Sequence, residues 1–365
     1  MDGSLFPLEN PPTDIISCAR FSPSSSSLLV GSWDCCIYFY DRTASNEAPF
    51  AYSGRVNTQA PVLDVCWGAD EFTFFSVGLC QTTTKWQRGS EDGVVLSTHE
   101  KGSNNVAYSR EHDTVLSTSW DGKLHVHDLG SSQAVRVRLQ AKPFALSVNP
   151  SRAVVAMADR KVAVYDLASL RSLIARHGES TETLEAKPWQ ERESSLKFMT
   201  RAVACMPDGT GFATSSIEGR VSVEWFDEDM QGKTYAFKCH RQSVKTGVVA
   251  PDADGQEMAD EEMVDYVYPV NALAFNPVYG TFATGGGDGI VVLWDAQTRR
   301  RVRQYKDLGD SVMGLDFSPD GKYLAVAVSP GFEDGIEDRQ MDPSKVKLVV
   351  RELVDGEAKG KAVRA

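Results

Sequence analysis

Along most of the chain, apolar and polar residues alternate in short runs broken by Gly-, Asn- and Asp-bearing turns, the pattern of half-buried strands. Four of these stretches align without gaps: GSWDCCIYFYD (31–41), TSWDGKLHVHD (118–128), AMADRKVAVYD (156–166) and GGGDGIVVLWD (285–295). In each, a turn acid (Asp34, Asp121, Asp159, Asp288) precedes a closing aspartate (Asp41, Asp128, Asp166, Asp295) by seven residues, with a β-branched and aromatic run between. Each unit therefore reads as strand, tight turn, strand. Three looser copies complete the set: SSIEGRVSVEWFD (215–227) with Glu218 in the turn, GLCQTTTKWQR (78–88) with Gln81 there, and YLAVAVS with KVKLVVREL (323–329, 345–353) split by a polar insertion. Every copy follows a further strand-like run, such as PVLDVCWGA or SVMGLDFSP.

Seven copies over residues 15–353 average about 48 residues, near the roughly 40–45 of WD-type blades. The predicted fold is all-β, a seven-bladed WD40 propeller with blades at about 15–60, 61–101, 102–141, 142–199, 200–250, 268–309 and 310–353. Because the last copy supplies only three strands, residues 4–9 are expected to add the fourth, latching the two ends together. Prolines suit that place because an outer strand is an edge. In blade four, 171–199 is charged and helix-permissive, and Ser194–Met199 is the expected outer strand. Residues 251–267 read as a solvated acidic loop, since 251–265 hold seven acids and no base. The stretch 331–345 is similar in character, and 355–365 reads as a tail.

Of 365 residues, 42% are hydrophobic, enough for a sizeable core, and the formal charge is −12. That balance opposes a broad phosphate-neutralising face of the kind nucleic acid selects. The seven cysteines lack CxxC spacing, so reduced thiols in an intracellular protein are expected. The start, MDGSLFPLENPP, does not resemble a signal peptide, and nothing in the chain is long and apolar enough to suggest a membrane span.

Catalytic patterns are missing: no HExxH, GxSxG or Walker loop is present. His125 and His127 share one strand face and read as filler rather than as metal ligands. The repeated turn acids are expected to do one structural job, accepting hydrogen bonds that rigidify their turns. No cofactor or metal is expected, and no enzymatic activity. Binding is the better expectation. The residue before each turn acid is presented on one rim, and the copies place Trp33, Cys80, Trp120, Ala158, Ile217 and Gly287 there. The two indoles either pack on a neighbouring blade or anchor a partner, the role in which Trp is enriched. Glu218 and Arg220 share that rim, either as a local ion pair or as a carboxylate-binding arginine beside the channel. Lys238, Arg241 and Lys245 lie on or just after the outer strand of blade five; they protect an edge or form an anion site.

The strings ESSLKFMTR, SSIEGRVSVEWFD, YAFKCHR and YPVNALAFNP…FATGGGDGIVVLWD resemble the spindle-checkpoint propellers of the budding-uninhibited-by-benzimidazoles protein-three family, over essentially the whole chain. The resemblance implies a nuclear, non-enzymatic adaptor, found at kinetochores in mitosis and monomeric alone, with no membrane partner. Its partners would be a checkpoint kinase and a pseudokinase-related protein, each through a GLEBS segment, and a kinetochore scaffold bearing phosphorylated Met-Glu-Leu-Thr repeats. Carried over position by position, Trp33 matches the family's rim tryptophan, Arg220 its glutamate-holding arginine and Arg241 its phosphate ligand. Gly280 stands where some relatives have a second base, a place Lys238 or Lys245 would fill. The alternative is the related GLEBS-binding propeller of messenger-RNA export, toward which NPVYGTF (276–282) leans; a ubiquitin-ligase substrate receptor is a third.

Overall fold

A computed structural model describes residues 5–45, 47–178, 180–251, 257–306, 308–331 and 341–360, giving backbone only for 246–251 and 257–262. The described residues form seven radial antiparallel sheets. Blade one runs Ile16–Phe21, Ser27–Ser32, Cys36–Arg42 and Phe50–Asn57, from the axis outward. The remaining blades begin at the axis with Val62–Trp67, Ser103–Ser109, Pro143–Val148, Thr200–Cys205, Val270–Phe275 and Val312–Phe317. These inner strands meet in order, and the seventh meets the first. Closure comes from Leu5–Pro7, which pairs antiparallel with Val349–Arg351 as the outer strand of blade seven. Leu8 follows into the core between blades seven and one. Ser4, also expected in this latch, lies outside the described residues.

The middle strands are buried on both faces because each blade is sandwiched between two others: Ser27–Ser32, Thr114–Ser119 and Tyr323–Val328 are buried throughout. Side chains also stitch neighbours together. Asp64 accepts from the Val106 N–H at 3.1 Å, Ser147 from Cys205 at 3.0 Å and Asp316 from Phe21 at 2.7 Å, the last across the closing seam.

Several expectations change. Blade four's outer strand is Gln190–Glu193, paired with Lys161–Val164. Ser194–Met199 instead carries the chain to blade five, with Ser194 and Leu196 buried. The helix starts earlier than expected, at Leu167–His177, capped by Asp166 and burying Leu170 and Ile174. Beyond it, Thr183–Leu184 adds in parallel to blade three's outer strand, covering that edge. Of the expected acidic loop, 252–256 lie outside the described residues and the rest is strand: Glu257–Val267 pairs with Arg241–Pro251 in a two-stranded ribbon after blade five, which itself ends at Lys238. Within 331–345, residues 332–340 lie outside the described residues and Pro343–Lys345 forms a 3-10 turn. Residues 355–360 are not a loose tail, because Glu357 and Ala358 are buried; 361–365 lie outside the described residues.

Candidate functional site: the channel mouth and the edge of blade five

The register of every inner strand breaks at the same place. Pairing skips from Ile16 to Cys18, Val62 to Asp64, Ser103 to Asn105, Pro143 to Ala145, Thr200 to Val203, Val270 to Ala272 and Val312 to Gly314. A bulge leaves its extra residue unpaired and re-aims that side chain. Here the residues at the second position (Ser17, Leu63, Asn104, Phe144, Arg201, Asn271, Met313) all line the central channel, a cavity of about 500 Å³. Arg201 is the one charged residue of that ring of seven. It donates to the Asn271 side chain at 3.2 Å. Arg20, Asp64 and Lys142 also line the cavity, so these four ionisable groups sum to +2 within an acidic chain.

Around the mouth stands an apolar rim fixed by one backbone bond per blade: Trp33 to Ile15, Leu79 to Pro61, Trp120 to Gly102, Ala158 to Lys142, Ile217 to Met199, Gly287 to Pro269 and Ser329 to Ser311. Trp33 and Trp120 both line the channel. Trp33 keeps 38% of its surface exposed, and Met199 and Ile217 are comparably open. Trp120 is tucked in further, with the Lys142 ammonium 5.0 Å above its ring. On blade two the rim residue is Leu79. Sequence alignment put Cys80 there, but the pairing of Val77 with Thr83 places Cys80 at the turn-acid position.

The turn acids divide by function. Asp34, Asp121 and Asp288 accept the N–H two residues on, at 3.1, 2.9 and 3.2 Å, as expected of turn-rigidifying groups. Asp121 and Asp288 are also held by His99 and His240, whose other nitrogens reach Ser117 and Thr284 inside the blade. Gly286 is required there, because a Cβ would lie 2.2 Å from the His240 Nδ1. No such bond from the turn to Asp159 or Glu218 is formed among the described residues, so the single shared job does not extend to them. His125 and His127 are strand filler, both bonded to Ser97 Oγ.

The structure separates the residues singled out in the sequence into two groups. Trp33 and Trp120 belong to the channel mouth. Arg220 does not: it opens the third strand of blade five, paired with Lys238 on the outer strand. Its Nε lies 3.4 Å from a Glu218 oxygen. Arg241 donates to the Glu218 carbonyl at 3.0 Å and approaches its carboxylate at 3.9 Å. Lys238 and Arg241 also wall a cavity of about 240 Å³ with Arg301 and Gln304 of blade six. Lys245 is exposed four residues up the ribbon strand from Arg241. Gly280 sits in a turn of blade six at positive φ, outside both groups. Arg201, Lys142 and Met199 were not picked out from the sequence. The available signal was positional, since the second residue of every inner strand faces the axis.

The radial sheets, the repeated turns and the axial channel define a WD-repeat β-propeller, and residues 5–41, 90–128, 266–295 and 301–335 match the family model described as WD domain, G-beta repeat. Over 353 residues the chain is 40% identical to "Mitotic checkpoint protein BUB3.1" of Arabidopsis thaliana, covering 94% of this chain and 92% of that protein. It is 34% identical to "Mitotic checkpoint protein bub3" of Dictyostelium discoideum, covering 96% of each. Similarity to "Poly(A)+ RNA export protein" of Schizosaccharomyces pombe is lower, 28% over 344 residues. The chain belongs to the BUB3 family.

Proposed function

We propose that this chain is a non-enzymatic adaptor of the mitotic spindle checkpoint, working in the nucleus and at kinetochores, with two peptide sites. The channel mouth takes a GLEBS segment of the checkpoint kinase or its pseudokinase-related partner. Apolar residues of the segment pack on Trp33, Trp120 and Met199, and its carboxylates pair with Arg201. One observation carries this reading: the sole charge in the bulge-presented ring is an arginine, set among exposed apolar rim residues. The second site is the Arg220, Lys238 and Arg241 cluster, which takes the phosphate of a phosphothreonine in a Met-Glu-Leu-Thr repeat. Arginine suits both ligands because its planar fork matches carboxylate and phosphate oxygens. The higher similarity to checkpoint relatives than to the export relative supports the checkpoint assignment.

The test is calorimetry with two synthetic peptides, a GLEBS segment and a phosphothreonine repeat. Arg201→Ala is expected to weaken the first about 30-fold, the lower end of losing one partner of a desolvated charge pair, and to leave the second unchanged. Arg220→Ala and Arg241→Ala should do the reverse. A GLEBS affinity that falls with Arg220→Ala and not with Arg201→Ala would return the carboxylate site to the edge of blade five.

A further inference from the structure

We propose that Glu218 is a built-in competitor at the blade-five cluster, one that makes the site select dianionic phosphate over a carboxylate side chain. The inference rests on reading that cluster as the phosphate site.

The starting observation is a difference between blades of one ring. In blades one, three and six the turn acid is an aspartate whose carboxylate caps its own turn, a bond that the aspartate of blade four, Asp159, does not make among the described residues. Blade five carries a glutamate at this position, one methylene longer. Its turn is held by Gly219 at positive φ, where a Cβ would strike the Cys239 carbonyl at 2.7 Å. Among the described residues the Glu218 carboxylate makes no hydrogen bond; its oxygens lie 3.4 Å from Arg220 and 3.9 Å from Arg241. The acid that elsewhere serves the fold here serves two cations.

It serves them incompletely. The Nε atoms of Arg220 and Arg241 are both buried and lack an acceptor. A two-oxygen carboxylate tethered to the turn meets neither with good geometry. A phosphate brings three acceptor oxygens and nearly two charges, so it gains bonds that Glu218 leaves unmade and displaces the tethered group. An incoming glutamate or aspartate brings only what Glu218 already supplies, and Glu218 is held in place at high effective concentration. Exchange of carboxylate for carboxylate therefore gains nothing.

The test uses three forms of one synthetic Met-Glu-Leu-Thr peptide, carrying threonine, phosphothreonine or glutamate at the fourth position, with affinities read by fluorescence anisotropy. The wild-type protein should bind the phosphopeptide and treat the glutamate form like the threonine form. Glu218→Gln should strengthen the glutamate peptide about tenfold and the phosphopeptide about threefold, narrowing the discrimination. Glu218→Asp is the sharper variant. It keeps the net charge but restores the short acid that caps its own turn in other blades, so it should also admit the glutamate peptide. If Gln raises both acidic peptides equally and Asp changes nothing, the effect is net charge alone and the competitor role is overturned. A wild-type protein with no preference for phosphothreonine overturns the site reading itself, and the competitor with it. Neither variant removes a hydrogen bond of the fold, so thermal melts should match the wild type.

Discussion

Lowering the pH from 7 to 4.5 is expected to remove about 3 kcal/mol of folding stability, and a histidine stack inside blade three is the reason. His99 lies flat on His125, ring centroids 3.6 Å apart, and His127 meets His125 edge-on. Burial, and then the neighbouring His99, hold His125 down at about 2 and His127 at about 4. Both stay neutral in the folded state while the unfolded chain protonates near 6.5. Below that value the unfolded state binds more protons, so stability falls as the pH falls, by roughly 2–3 kcal/mol per histidine at pH 4.5. Asp316 opposes this. Burial pushes its carboxyl up to about 6 despite Arg20 nearby, so the folded state takes up its proton first and regains about 2 kcal/mol by pH 4.5. Asp121 does not enter the window: burial acts to raise it, but hydrogen bonds from His99 and the Glu100 N–H hold it at about 2. Urea unfolding at the two pH values measures the net change, and Asp316→Asn separates its parts. That variant should lose about 5 kcal/mol over the same interval, because the opposing contribution of Asp316 is then gone. Equal stability at both pH values in wild type and variant would show that the histidines are not held neutral.

That stack also marks the limit of what the chain pattern conveyed. The seven copies, their strands and the N-terminal latch were legible because a blade buries its middle strands on both faces, and burial writes itself as apolar alternation. The histidines at 125 and 127 were read correctly as filler. His99 and His240 were not recognised as partners of Asp121 and Asp288, because they enter from the loop before the blade, some 22 and 48 residues from the acid each one holds. Arg201 was hidden for a similar reason. It appears in ESSLKFMTR as one polar residue at the start of an ordinary strand, and only the bulge repeated around the ring shows that it faces the axis. Arg220 stood out by its local company, Glu218 and the turn, but local company does not show that its strand pairs it with Lys238 on the outer edge. Runs of acid between 251 and 265 argued for a loop because charge opposes burial, yet a two-stranded ribbon needs no burial to pair its backbone. Periodicity conveys the scaffold well; contacts between blades need the ring to be closed first.

Replacing Glu357 by alanine is expected to cost about 3–5 kcal/mol, as large as any single change at the closing seam. Glu357 follows the last strand, where the sequence reads as tail, but it is buried against blades six and seven. Its Oε1 accepts from the Tyr305 hydroxyl at 2.7 Å and from Arg351 Nε and Nη2 at 3.0 and 2.8 Å. Its Oε2 accepts the Val354 N–H at 3.0 Å. Arg351 is itself buried, pairs with Leu5 of the latch strand and lies over the Tyr305 ring at 4.2 Å. One carboxylate thus ties the third strand of the last blade, the outer strand of blade six and the segment beyond them into a unit. Removing it strands a guanidinium where water does not reach, and an unpaired buried charge costs far more than the pair contributed. Two consequences separate this from a simple loss of packing. Arg351→Met should also destabilise strongly, by leaving Glu357 buried and uncompensated apart from Tyr305 and the more exposed Arg303. The double variant Arg351→Met with Glu357→Leu should then be less destabilised than the sum of the two single changes by at least about 2 kcal/mol, since apolar groups of similar size need no partner. Urea midpoints of the four proteins give the coupling directly. Additive losses would mean that the two side chains stabilise the seam independently, and that the charge pair is not what fastens the chain's end to its beginning.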